Sequence, residues 1–164
     1  MKILVFSDSH GNSSVISDAI RKQLKHGLDM VFFLGDGISD FEAAAKLLPG
    51  PRYTAVLGNC DAYSYQPDGV YEKLIEAGGH RFLLAHGHRL GVKAGIQSAV
   101  DHAIRKGADV LLFGHTHEAC DLTVDGSDGG SVRVINPGSC GSWYHPSFAL
   151  LETVGEHLVC GFGG

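Results

Sequence analysis

The chain has 164 residues, 44% hydrophobic content and a formal net charge of −5. No apolar run approaches the ~20 residues of a membrane span, and the acidic balance argues against non-specific nucleic-acid binding through a basic face. Four cysteines (Cys60, Cys120, Cys140, Cys160) without a C-x-x-C pair are too sparse for a disulfide framework. The opening lysine leads straight into an apolar run, without a signal-peptide body, so the expectation is one cytoplasmic domain over residues 1–164.

Ile3-Leu4-Val5-Phe6 reads as a strand buried on both faces, ending in the polar turn Ser7-Asp8-Ser9-His10-Gly11. Asn12, Ser13 and Ser14 are N-cap candidates for a helix carrying Val15, Ile16, Ala19, Ile20 and Leu24 on one face, with Gly27 at its C-terminal turn. Residues 30–34 form a second apolar strand, followed by Gly35-Asp36-Gly37. Phe41, Ala44, Ala45 and Leu48 mark a second helix, stopped by Pro49-Gly50-Pro51. Residues 54–57 read as a third strand running into Gly58-Asn59-Cys60-Asp61, and residues 62–69 as a loop. Residues 70–76 and 81–85 pair as a hairpin through Gly78-Gly79, and the second strand leads into His86-Gly87-His88. A helical stripe at Ile96, Ala99, Val100, Ala103 and Ile104 ends at Gly107. Residues 110–113 then lead into Gly114-His115-Thr116-His117. Short strands at 120–124, 132–136, 148–153 and 157–160 complete the chain, giving an α/β protein with two sheets.

Five apolar runs end in residues able to bind a metal: Asp8 and His10, Asp36, Asn59, His86, and His115 with His117. Singly, each has an ordinary explanation as a turn residue, a core histidine or a solvated loop. Together, always at a strand exit and usually beside glycine, they form a set of two carboxylates, one amide and four imidazoles. That set is too large for one tetrahedral zinc site, and it suits two divalent ions with mixed nitrogen and oxygen ligation. Two ions bring +4 against the −2 of Asp8 and Asp36, so such a site attracts an anionic phosphate ester despite the acidic chain.

In this order the five motifs resemble those of the calcineurin-like metallophosphoesterases, and most of all the small branch that contains microbial phosphodiesterases and the retromer scaffold subunit. Asn136-Pro137-Gly138-Ser139 is also similar to a turn of that branch. The resemblance implies a two-sheet β-sandwich flanked by helices, a four-layer αββα fold. It implies one ion on Asp8, His10, Asp36 and His117, and another on Asp36, Asn59, His86 and His115, with Asp36 bridging. The implied activity is phosphoester hydrolysis, more of diesters than of monoesters, by a hydroxide bound between the two ions. Manganese is the first choice, with nickel, cobalt, zinc, iron or magnesium as alternatives. The alternative function is a non-catalytic interaction scaffold of the same fold. The implied partner is a small phosphate-ester substrate, with no membrane, and a homo-oligomer is left open.

Asn59, Cys60, Asp61 and His86 are the residues expected nearest the chemistry. Cys60 departs from the resemblance, because most of the superfamily has histidine there to protonate the leaving oxygen. Its thiol reads either as a small buried hydrophobe or as a catalytic neighbour. The loop after Ser139 departs too. The branch often carries Pro-Arg there, whereas this chain has Cys140-Gly141-Ser142-Trp143-Tyr144-His145, with Trp143 and Tyr144 expected to pack at a turn. Arg52, Arg89 and Arg133 are the candidates to replace a phosphate-binding arginine, and His88 is a candidate substrate contact. His26, His80, His102 and His157 are expected at the surface.

Overall fold

The structure, a computed structural model, describes residues 1–61 and 70–164. The expected loop over residues 62–69 lies outside the described residues. Among the described residues, ten strands form two five-stranded sheets. They are β1 (Lys2–Phe6), β2 (Met30–Phe33), β3 (Tyr53–Ala55), β4 (Glu72–Ala77), β5 (His80–Ala85), β6 (Val110–Leu112), β7 (Cys120–Asp125), β8 (Ser131–Asn136), β9 (Phe148–Val154) and β10 (His157–Gly163). The helices are α1 (Ser14–Leu24), α2 (Ile38–Ala45) and α3 (Gln97–Arg105). The strand orders are β10-β9-β1-β2-β3 and β4-β5-β6-β8-β7.

Alternation along the central strands explains the layers. On β1, Ile3 and Val5 face the second sheet, packing with Phe32, Phe82, Leu84 and Leu112. Leu4 and Phe6 face α1 and α2, packing with Ile16, Ile20, Phe33 and Phe41. Leu83, Leu111 and Val134 face the opposite way, against Ala99, Val100 and Ala103 of α3. The order is therefore α1/α2, sheet, sheet, α3, as the resemblance implies. Each fully buried Phe or Leu contributes roughly 1.5–3 kcal/mol. Strands buried on both faces must be apolar at every position, and this is why they read as unbroken runs.

In the first sheet β1, β2 and β3 are parallel, and in the second β5, β6 and β8 are parallel. The two triplets release their chains at one shared edge. Cys140 after β8 donates its N–H to Ser7 O at 3.0 Å, and His115 after β6 donates its N–H to Asp8 Oδ2 at 3.0 Å. The carboxyl edge of parallel strands is where open α/β sheets bind ligands.

Local differences from the sequence reading have local causes. The third strand stops at Ala55 because Leu57 turns to donate its N–H to Val70 O at 2.8 Å. Ser13 makes no side-chain cap to α1. Asn12 Oδ1 accepts from the Ser14 hydroxyl at 2.6 Å instead. The last strand runs on to Gly163, its glycines pairing in register with Phe148–Leu150.

Candidate metal centre

The ligand side chains project from loops in unusual conformations. Asp8, His10, Asp36, His115 and His117 have φ between 45° and 67°, and among the described residues they are the only non-glycine residues with positive φ. A left-handed residue other than glycine is uncommon and costs free energy, so it persists only where surrounding structure over-determines it. All five are residues singled out above as ligands. Close packing of the loops holds them there. A Cβ on Gly58 would lie 2.0 Å from Asp36 Oδ1, and one on Gly114 would lie 1.8 Å from Ser7 Oγ.

The side chains meet in two groups of ligand atoms, each within 4.8 Å: Asp8 with His10 and His117, and Asp36 with His86 and His115. His10, Asp36 and Cys60 form a third such group that joins the other two. His117 Nε2 lies 3.2 Å from Asp8 Oδ1 and 3.3 Å from His10 Nε2, and His86 Nε2 lies 3.3 Å from Asp36 Oδ2. Asp8, Asp36 and His86 form a buried floor, and His10, His117, Asn59 and Cys60 form an exposed rim.

The surrounding bonds orient this floor. Asp8 Oδ2 accepts from the Ser7 hydroxyl at 2.6 Å, which leaves Oδ1 aimed into the site. His86 Nδ1–H donates to Leu34 O at 2.8 Å, so its Nε2 carries the lone pair toward the carboxylates. Asp8 Oδ1 and His86 Nε2 are both buried without a hydrogen-bond partner. Buried polar atoms are rarely left so, because each unmet one costs roughly 1–3 kcal/mol. Divalent cations bound at these two atoms would satisfy them, and the donor set of carboxylate oxygens and imidazoles fits such ions.

The charges respond accordingly. Burial pushes the His86 imidazole down, but the Asp36 carboxylate beside it and the Asp8 charge outweigh it and raise its pKa. Burial pushes Asp36 up, yet the neighbouring His86 imidazole and the hydrogen bond from the Cys60 N–H hold it well below the usual carboxylate range. Burial lowers His115, and the neighbouring His86 adds to that effect.

Asp61, expected near the chemistry, instead lies under the site. Its Oδ2 accepts the N–H groups of Asp36 and Gly58, both at 2.8 Å, and its Oδ1 accepts those of Gly37 and Ile38 at 2.8 and 2.9 Å. Both oxygens are thus turned to backbone, which fixes the Asp36 and Asn59 loops together. Asn59 is on the rim, with its amide donating to Cys60 Sγ at 3.3 Å. Cys60 is exposed, which removes its reading as a buried hydrophobe. Desolvation of the thiol and the charges of Asp36, Asp61 and Asp8 push its pKa up to about 11.

Further residues support the ligand loops, Asn136 and Ser139 among them from the turn singled out in the sequence. Asp40 Oδ2 accepts from the Ser9 hydroxyl and the Gly11 N–H, at 2.7 and 2.8 Å. The Ser139 hydroxyl donates to Asp8 O at 2.8 Å. Asn136 is fully buried, donating to Gly114 O and Thr116 Oγ1 at 3.2 and 2.9 Å, so it shapes the His115–His117 turn.

Within this geometry the comparisons with known proteins are specific. The calcineurin-like phosphoesterase superfamily domain matches residues 1–156. The chain belongs to the calcineurin-like phosphoesterase superfamily. A relative named a probable metallophosphoesterase, YsnB of Bacillus subtilis, is 34% identical over 139 residues, covering 85% of this chain and 75% of that protein. The phosphodiesterase MJ0936 of Methanocaldococcus jannaschii is 30% identical over 167 residues, covering 93% of both. Among solved structures, an archaeal phosphodiesterase superposes with a TM-score of 0.69 at 25% identity, covering 99% of each chain. Vps29 of Entamoeba histolytica complexed with zinc gives a TM-score of 0.73 at 21% identity, over 99% of this chain and 98% of that one, a likeness of fold.

As a member of this superfamily the chain departs from expectation at several outer positions. Trp143 and Tyr144 are 90% and 89% exposed, so they do not pack at the turn. Their loop is closed at its base by Ser147 N–H donating to Ser139 O at 3.0 Å, and its tip stands clear. Arg52 lies at the entry of β3, the end away from the site. Arg133 is paired with Asp121 at 2.7 and 2.8 Å and donates to Leu158 O. Arg89 follows His88, whose ring centroid lies 5.4 Å from that of His86. His26 and His157 are exposed as expected, but His80 and His102 are half-buried against Asp109 and Glu72, at 3.0 and 2.7 Å.

Proposed function

We propose that the chain is a binuclear metal-dependent phosphoesterase acting preferentially on phosphodiesters. The observation that carries this reading is the pair of buried, unpartnered atoms, Asp8 Oδ1 and His86 Nε2, facing each other across the two ligand groups. Asp8, His10 and His117 would hold one ion, and Asn59, His86 and His115 the other, with Asp36 shared between them. Two divalent ions at such a site supply an activated water at neutral pH and neutralise charge on the phosphoryl oxygens.

The chain's own residues set the conditions for that chemistry. The buried floor fixes Asp8, Asp36 and His86 before any substrate arrives, so no reorganisation is needed at the moment of reaction. The exposed rim leaves room for an ester over His10 and His117. Asn59 and the thiol of Cys60 stand on the rim, and a thiol in place of the superfamily's imidazole is a poor proton donor to a leaving group at neutral pH. Weak protonation suits leaving groups that depart as stabilised anions, and this favours aryl and other good leaving groups.

The likeness of fold to Vps29 keeps a non-catalytic scaffold as the second reading, and the positive-φ ligand residues and unpartnered buried acceptors favour a metal site in either case. The family membership and the phosphodiesterase name of one relative support the enzymatic reading. The test is reconstitution of metal-stripped protein with Mn, Ni, Co, Zn or Mg, followed by assay on bis(4-nitrophenyl) phosphate and 4-nitrophenyl phosphate. The diester should be hydrolysed faster, with manganese the first ion to try. A protein that binds these metals and hydrolyses neither ester would contradict the proposal.

A further inference from the structure

A cavity of about 380 Å³ opens beside the His86 and His115 half of the site, lined by Tyr71, Glu72, Gly87, His88 and Arg89 among others. Its volume is within the range of small-molecule pockets. Its wall is continuous with the metal centre: the His88 ring centroid lies 5.4 Å from that of His86 and 6.1 Å from that of His115. His88 lines the cavity, and its Nδ1 is buried behind that wall without a hydrogen-bond partner.

Among the described lining residues Arg89 is the one fixed cation. Glu72, its one carboxylate among the described lining residues, is already paired with Lys106 at 2.9 Å and His102 at 2.7 Å. The Arg89 guanidinium lies flat over the Tyr71 ring, 3.3 Å from its centroid. A stacked guanidinium keeps its in-plane N–H donors free to fork onto an anion, and the stacking limits the side-chain freedom lost on binding. The short 3₁₀ turn His88–Leu90 places Arg89 directly after His88 and ties it to the strand end that carries His86.

On the reading that the metal centre holds a phosphoryl group, we propose that this cavity binds a second anionic group of the substrate. Arg89 is its anchoring residue and His88 a further polar contact. The substrate class is then a phosphoester whose alcohol part carries another phosphate or carboxylate.

The experiment titrates metal-loaded protein calorimetrically with a series of α,ω-alkylenediphosphonates and the matching alkylphosphonates, whose P–C bonds resist hydrolysis. At one chain length the diphosphonate should bind wild-type protein on the order of tenfold tighter than the monophosphonate, the range for a hydrogen-bonded charge pair. Arg89→Met should lose that gain while still binding the monophosphonate, and Arg89→Lys should recover part of it. A gain that survives in Arg89→Met, or no gain at any chain length in the wild type, overturns the proposal. Hydrolysis of bis(4-nitrophenyl) phosphate by the wild type is scored separately. Its absence would count against the phosphoesterase reading alone, and the diphosphonate comparison would still decide the role of Arg89.

Discussion

Replacing Asp61 by alanine removes the one side chain that accepts four backbone N–H groups at the base of the site. Those donors belong to Asp36, Gly37, Ile38 and Gly58, at 2.8–2.9 Å, and Asp61 is only 3% exposed. Water cannot reach all of them once the carboxylate is gone. Even at about 1 kcal/mol for each unmet donor, the low end for buried groups, the loss is about 4 kcal/mol. It includes the anchor for the start of α2, where a carboxylate also complements the helix dipole. For a domain of this size 1 kcal/mol corresponds to roughly 2–4 °C in Tm, so metal-free Asp61→Ala should melt roughly 8–16 °C below wild type. Asp61→Asn keeps one acceptor oxygen and sets an NH₂ against the other two donors, so it should recover less than half of the loss. Scanning calorimetry of metal-free protein measures both. A drop below about 3 °C for Asp61→Ala would refute the supporting role, and so would full activity with unchanged metal affinity.

Cys60→Ala should leave hydrolysis of an aryl phosphodiester nearly intact, whereas an essential proton donor would cost on the order of 10²–10⁴-fold. Cys60→His should raise the rate on alkyl-type leaving groups relative to aryl ones. An unchanged ratio in a metal-loaded variant would show that protonation is not limiting. Glu72 gives a pH signature. Burial raises its pKa, but Lys106 and His102 lower it further, so its folded pKa is below the ordinary 4.5. A depressed carboxylate pKa stabilises the fold above the unfolded value, and the contribution is lost as pH falls through the folded pKa. The melting temperature of wild type should therefore fall on acidification below about pH 4.5, and Glu72→Gln should flatten that part of the curve. An identical slope in the two proteins would remove Glu72 from the account.

Much of the site was legible because its chemistry is periodic with the fold. Apolar strands buried on both faces leave few alternatives for the polar residues at their exits, and Asp8, Asp36, His86, His115 and His117 all stand at such exits. What the linear order could not show was backbone conformation. Nothing in the letters of Asp8 or His117 announces a positive φ, which arises only when six strand ends converge and crowd the loops between them. Asp61 was misjudged for a similar reason: a carboxylate beside a ligand motif looks chemical until four backbone donors are seen to occupy it. The arginines depended on topology. Arg52 and Arg133 are excluded by which end of a strand they occupy and by a partner on β7, and neither fact is local in sequence. Trp143 and Tyr144 were expected to pack because large aromatics usually do, but among the described residues no element covers the tip of the loop closed between Ser139 and Ser147.

The central claim, that strand-end ligands hold two ions around a shared carboxylate, is tested most directly by metal content. Wild-type protein reconstituted with manganese and freed of excess ion should approach two equivalents per chain by elemental analysis. Asp36→Asn should lose occupancy at both positions rather than at one. A wild type that saturates at a single equivalent, or an Asp36→Asn variant that retains two, would contradict the account.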